Sequence, residues 1–136
     1  MTTNSSIAAR AAAFAAELAN YDHLPAVQSL SVYNDSLHLA VDGPYKSFET
    51  VTKLAGWAHA MDVMVSIEAV WVGSGRIHVV LPFECGLVEM DVYLSTAMAY
   101  ELGRKLQIEL PEQGAIEVTA EQLLAVLASG EQKASA

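Results

Sequence analysis

The sequence has little of three things: cysteine, basic residues and long apolar runs. Cys85 is the single cysteine, which excludes an intrachain disulfide and leaves too few thiolates for a zinc ribbon. Lysine and arginine total 7 against 16 aspartates and glutamates, for a net charge of −9, so a protein that neutralises nucleic-acid phosphates is not expected. No apolar run approaches the roughly 20 residues of a membrane span. We therefore expect neither nucleic acid nor a membrane as a partner.

Charged residues of either sign are also scarce, and apolar residues are abundant. They make up 17% and 53% of the 136 residues, a balance that excludes a disordered chain and allows one hydrophobic core. We predict a single domain over residues 1–130, followed by a short polar tail at 131–136. Arg10 and Glu17 interrupt the Ala-rich N-terminal stretch, which therefore does not fit a signal peptide. The expected compartment is the cytoplasm.

Apolar spacing and capping residues predict four helices. Their predicted ranges are about 6–20, 48–61, 96–105 and 119–130. The predicted N-caps, in chain order, are Ser5 or Ser6, then Ser47, Ser95 and Thr119. In the second helix, Trp57 lies off the apolar stripe and is expected to cover its edge.

The first two strands are predicted to form a hairpin that turns at 34–35. A two-residue turn pairs Leu30 with Leu39 and Val32 with Leu37, which places all four apolar side chains on one face. A slip of one residue would destroy this segregation, so the sequence specifies the register.

Residues 63–94 predict a three-stranded antiparallel meander. A Gly-Ser-Gly loop, with Gly75 in a left-handed conformation, pairs Ile67 with Leu81, and a Cys-Gly turn then pairs Leu81 with Met90. Both turns direct the same residues of the middle strand inward, which agrees with a single buried face.

Two further short strands are predicted at 106–110 and 116–118. Together these elements predict an α+β domain. Its sheet is mainly antiparallel and consists of a hairpin plus a three-stranded meander, and its helices pack on one face of the sheet.

Motifs for nucleotide binding and acyl transfer are missing, since the chain has no G-x-G-x-x-G, Walker A or G-x-S-x-G pattern. His59 and Asp62 are three residues apart, but no second imidazole shares a short spacing with them, so no metal site is predicted. Cys85 has acidic neighbours in Glu84 and Glu89, which disfavour a reactive thiolate. We expect no cofactor.

The outward face of the meander brings together residues that could carry chemistry. The predicted register places His78 opposite Tyr93, with Glu68 and Asp91 on the same face. As a catalytic site, His78 would be a general base oriented by one of the carboxylates, with Tyr93 as a proton donor. The ordinary interpretation is a half-solvated sheet face, on which such mixtures are common.

The same face carries three valines, Val70, Val72 and Val80. Contiguous exposed apolar area usually indicates a partner. A third interpretation is therefore an association surface formed by these valines together with His78 and Tyr93.

Three segments of the chain resemble small acidic proteins of actinobacteria and of their phages and mobile elements. The segments are FETVTKLAGWA at 48–58, VYLS at 92–95 and IEVTAEQLL at 116–124, in a chain with 22 alanines. This group has no assigned activity, so the resemblance implies no functional residues. In length, charge and α+β composition the chain is also similar to dimeric secretion-chaperone-like domains.

The leading hypothesis is a non-enzymatic, cytoplasmic, acidic interaction or chaperone-like protein of phage or mobile-element origin. Its expected partners are a second copy of itself and another protein. The alternative is a small-molecule enzyme or binding protein that uses His78, Tyr93 and a carboxylate. A ligand-sized pocket at His78 would favour the alternative, and a flat surface there would favour the interaction protein.

Overall fold

A computed structural model of the protein describes residues 3–33, 36–70, 74–110 and 114–135. In these residues the elements, in chain order, are α1 (Asn4–Leu18), a 3-10 turn (Ala19–Tyr21), β1 (Val27–Tyr33), β2 (Ser36–Val41), α2 (Phe48–Met61), β3 (Val65–Val70), β4 (Ser74–Phe83), β5 (Gly86–Leu94), α3 (Thr96–Leu106), β6 (Ala115–Val118) and α4 (Ala120–Ser135). None of the described helices is long and apolar enough to cross a bilayer.

The six strands form one mixed sheet in the order β1-β2-β5-β4-β3-β6. The pair β2/β5 is parallel and the other neighbours are antiparallel. The predicted α+β class and mainly antiparallel sheet are confirmed. The predicted hairpin and meander both form, but they do not describe the whole sheet, because β2 pairs directly with β5 in parallel and β6 extends the sheet beyond β3. A parallel pair needs a long crossover connection, which α2, β3 and β4 supply.

The predicted hairpin register between β1 and β2 is confirmed. Leu30 pairs with Leu39 and Val32 pairs with Leu37. Leu37 and Leu39 are buried, as the apolar segregation requires. The turn at 34–35 lies outside the described residues.

The meander strands form as predicted, but their pairing is shifted. Ile67 pairs with Ile77 instead of Leu81, and Leu81 pairs with Val88 instead of Met90. The two shifts are four and two residues, and even shifts leave every side chain on its original face. The predicted inward residues Ile67 and Leu81 are therefore buried although their partners differ.

Two glycines account for the shifted pairing. Gly75 is a residue of β4, and a Cβ there would lie 3.3 Å from the backbone oxygen of Glu68. This close approach between strands, and not a left-handed turn, favours glycine at this position. Gly86 has a φ of +132° and pairs with Phe83 at the start of β5, so the turn lies at 84–85.

The N-caps predicted for three helices are confirmed, since each accepts a backbone hydrogen bond from the first turn. They are Ser47, Ser95 and Thr119. For α1 the prediction is wrong, because Thr3 is the cap and Ser6 completes a capping box with it. Helix α4 continues to Ser135, beyond the predicted end at residue 130.

The strand predicted at 106–110 is absent from the described chain. Leu106 belongs to α3, and the chain then reverses because Gln107 adopts a left-handed C-cap with φ of +57°. Ile108 donates its backbone hydrogen bond to the oxygen of Gly103, and its side chain packs against the core. The alternation of apolar and polar residues at 106–110 therefore reflects the packing of a segment without regular secondary structure, and not a strand. The strand predicted at 116–118 is confirmed as β6.

The hydrophobic core lies between one face of the sheet and the helices. Phe14 of α1 is fully buried and makes an edge contact with Phe83, at 4.8 Å between ring centroids. Trp57 is also buried, and its indole donates a hydrogen bond of 2.8 Å to the oxygen of Pro25. The prediction that Trp57 covers an edge is therefore wrong. An indole can be buried this deeply because its one donor has a partner.

Candidate functional site

The opposite side of the sheet carries the side chains that alternate with the buried ones. We call this side the outer face; its principal residues are His38, Glu68, Arg76, His78, Val80, Leu87, Glu89, Asp91 and Tyr93. The two histidines, the three carboxylates and Arg76 form a continuous chain of contacts across the adjacent strands β2, β5, β4 and β3.

Glu89 of β5 lies between two histidines. Its Oε2 is 3.2 Å from Nε2 of His38, and its Oε1 is 3.0 Å from Nε2 of His78. The parallel pairing of β2 and β5 brings His38 directly beside Glu89, whereas His78 reaches it diagonally from β4. One carboxylate therefore connects strands from the hairpin and from the meander.

Arg76 is the cation of the other half of the chain of contacts. Its Nη2 lies 2.6 Å from Oε2 of Glu68, directly across β3, and its Nη1 lies 3.6 Å from Oδ1 of Asp91. Burial acts to lower the pKa of Arg76, but the hydrogen bond to Glu68 and the charges of Asp91 and Glu68 outweigh it, so that its pKa is raised. The guanidinium is thus fixed as a structural cation between two acids.

The predicted juxtaposition of His78 with Tyr93 is wrong. Tyr93 pairs with Arg76, and His78 pairs with Asp91. The imidazole contacts Glu89 and lies 3.9 Å from Oδ1 of Asp91. Of the predicted catalytic residues, the structure brings His78 beside Asp91, while Glu68 and Asp91 both contact Arg76.

The predicted valine patch is described only in part. Val80 is 38% exposed on the outer face. The side chain of Val70 and the whole of Val72 lie outside the described residues. Leu87 and Tyr93, at 63% and 43% exposed, add apolar surface on β5, and the alternation of β5 could have placed Leu87 on this face.

An open groove of about 510 Å³ crosses the outer face beside β1. It is lined by Ser31, His38, Leu39, Ala40, Arg76, Asp91 and Tyr93. His78 is not among the lining residues. The imidazole, guanidinium and carboxylate in the lining each have an ionic partner.

Within the described part of the chain, no group of three or more histidine, cysteine or acidic side chains is placed to hold a metal ion. His59 lies in the last turn of α2, and Asp62 is the left-handed C-cap of the same helix. Both residues therefore have positions that helix termination explains.

The turn that carries Cys85 is held by a contact from α1. The backbone amides of Glu84 and Cys85 donate hydrogen bonds of 2.9 and 3.1 Å to the carboxylate of Glu17. Burial, together with the negative charge of Glu17 and a hydrogen bond to it, raises the pKa of the Cys85 thiol. Its thiolate is therefore scarce near neutral pH, unlike that of a catalytic cysteine.

We expect iodoacetamide to alkylate Cys85 in the folded protein several-fold more slowly than in the urea-unfolded chain at pH 8, because the thiolate is the reacting form. Glu17→Gln removes the negative charge beside the thiol and should increase the rate in the folded state. Mass spectrometry of timed samples measures both rates. Equal rates in the folded and unfolded wild type would contradict the raised pKa.

Comparisons of the chain with models of protein families, with curated proteins and with solved structures find no match. The resemblance to small actinobacterial and phage proteins stays a prediction.

Proposed function

We propose that this chain is a non-enzymatic protein-interaction module that forms a homodimer and binds a partner protein on its outer face. The observation that carries the proposal is the composition of that face, on which exposed apolar side chains adjoin a network of paired charges. Val80, Leu87 and Tyr93 provide the apolar area. Interfaces commonly combine such aromatic and aliphatic anchors with polar groups.

The position of the groove argues against the enzymatic alternative. The side chain of His78 is 16% exposed and contacts Glu89, but it does not line the groove on the outer face. Tyr93 lies opposite Arg76 and not opposite His78. An enzyme or binding protein that uses His78, Tyr93 and a carboxylate therefore has less support than an interaction module.

The charge of the outer face suggests the type of partner. Glu68, Glu89 and Asp91 provide three negative charges against one positive charge on Arg76, so the face carries −2 when His38 and His78 are neutral. A partner with a basic rim around an apolar centre is complementary to this surface.

The same proposal places the protein in the cytoplasm, where a single free cysteine is ordinary. A chaperone-like role, holding an apolar segment of a client, fits the acidic surface with exposed apolar side chains. The phage or mobile-element origin is supported only by the resemblance of the three segments described above.

Partner binding is tested with a single lysine on the outer face. We expect Val80→Lys to abolish co-purification of the partner protein from the native host, because it adds a positive charge and removes apolar contact. Tyr100→Lys is the matched control, since Tyr100 of α3 is 75% exposed and lies on another surface. Quantitative mass spectrometry of the bound fraction measures the result. Equal retention by both variants would contradict docking on the outer face.

A further inference from the structure

Within the described residues, β1 and β6 are the two edge strands of the sheet, and they differ in the features that prevent pairing with another strand. β1 has seven residues, whereas β6 has four. Residues 26–33 contain no charged residue and no proline, but β6 includes Glu117. Natural edge strands are usually short or carry charges or proline, because an unguarded edge pairs with another strand. β1 is thus the edge that is open to pairing.

The hydrogen bonding of β2 determines which backbone groups of β1 are free to pair. Asp42 donates its amide to the oxygen of Ala26 at 3.0 Å. Alternate residues of an antiparallel strand face the same neighbour, so the even-numbered residues of β2 bond to β1. Their partners beyond the bulge near Val27 are the odd-numbered residues of β1. The backbone groups of Leu30 and Val32 therefore point away from β2.

The side chains of these same two residues are incompletely covered. Leu30 and Val32 pair with Leu39 and Leu37 and so lie on the core side of the sheet. Their partners on β2 are buried, but Val32 is 38% exposed and Leu30 is only partly buried. An additional strand at this edge would satisfy the backbone groups and cover these apolar side chains together.

We propose that two copies of this chain pair antiparallel through β1, with the twofold axis at Ser31. Leu30 of each copy then lies opposite Val32 of the other, and the bulge near Val27 stays outside the paired segment. Both Leu30–Val32 pairs use the outward backbone groups, and apolar side chains face apolar side chains. The surface is self-complementary, as a twofold interface requires.

This inference rests on the homodimer in the proposed function and specifies how it assembles. Stacking two outer faces would instead oppose two surfaces of charge −2, which disfavours association. Pairing through β1 joins six strands from each copy into one sheet of twelve. The outer faces of the two copies then stay uncovered and lie side by side for partner binding.

Two matched lysine variants test the proposal. Val32 and Val80 are both 38% exposed valines on strands, one at the edge and one on the outer face. In sedimentation velocity at ~100 μM, we expect wild type and Val80→Lys to be dimers and Val32→Lys to be a monomer. Circular dichroism checks that each variant is folded. Should Val32→Lys fail to fold, Val32→Pro, which removes the outward amide and no hydrogen bond to β2, is expected to be monomeric.

Amide hydrogen exchange provides a second measurement that is specific to edge pairing. In the wild type, protection of the Leu30 and Val32 amides should increase with protein concentration, whereas that of Ser31, which faces β2, should not. Loss of the dimer in Val80→Lys but not in Val32→Lys would overturn edge pairing and leave the outer face as the interface. A monomeric wild type would overturn the homodimer but not partner binding on the outer face.

Discussion

Replacing Leu81 by alanine is expected to lower the free energy of unfolding by roughly 2–5 kcal/mol. Leu81 lies on β4 between β5 and β3, and its side chain is fully buried. The truncation loses the transfer free energy of the removed methyl groups and leaves a cavity that the surrounding strands fill only partly. Urea denaturation followed by circular dichroism measures the change, provided that the slope of the transition is unchanged.

The adjacent residue provides the control for this experiment. Val80 follows the same strand but points to the outer face, where it is 38% exposed. Val80→Ala is therefore expected to cost less than about 1 kcal/mol. A larger loss from Val80→Ala than from Leu81→Ala would mean that the two faces of β4 are reversed.

The faces of the strands could be predicted from the sequence, but the partners of the meander strands could not. The hairpin register follows from its apolar segregation, and it is correct. In the meander, Gly75 and Gly86 indicated turns, but both residues belong to strands. The distinction depends on tertiary contacts: Gly75 approaches the backbone of Glu68, and Glu17 binds the amides of Glu84 and Cys85. Neither contact can be predicted from the residues that are adjacent in the sequence.

The ionic network on the outer face also depends on tertiary contacts that the local sequence does not specify. His38 meets Glu89 only because β2 and β5 are parallel neighbours, although 51 positions separate the two residues in the sequence. The shift of two residues between β4 and β5 moved Tyr93 from a position opposite His78 to one opposite Arg76, and it placed Asp91 opposite His78. Prediction therefore identified the face and most of its residues, but it assigned the wrong pairs and missed the bridging role of Glu89.

Replacing Arg76 by methionine is expected to lower the free energy of unfolding by about 1–3 kcal/mol at neutral pH. The change leaves Glu68 and Asp91 close together without their shared cation. Asp91 Oδ1 is a buried oxygen with no hydrogen bond within the described residues, and it lies 3.6 Å from Nη1 of Arg76 and 3.9 Å from Nε2 of His78. Methionine retains the apolar contacts of the arginine stem, so the loss reports on the charge.

Arg104 provides the matched control, because it forms an ion pair with Glu101 on the exposed surface of α3. Arg104→Met is expected to leave the unfolding free energy unchanged within error, since exposed ion pairs contribute little. Adding Glu68→Gln to Arg76→Met should recover part of the loss, because one of the two unpaired carboxylates is then neutral. If Arg76→Met costs no more than Arg104→Met, the network does not stabilise the sheet. Its paired charges would then have to be explained by partner binding on the outer face alone.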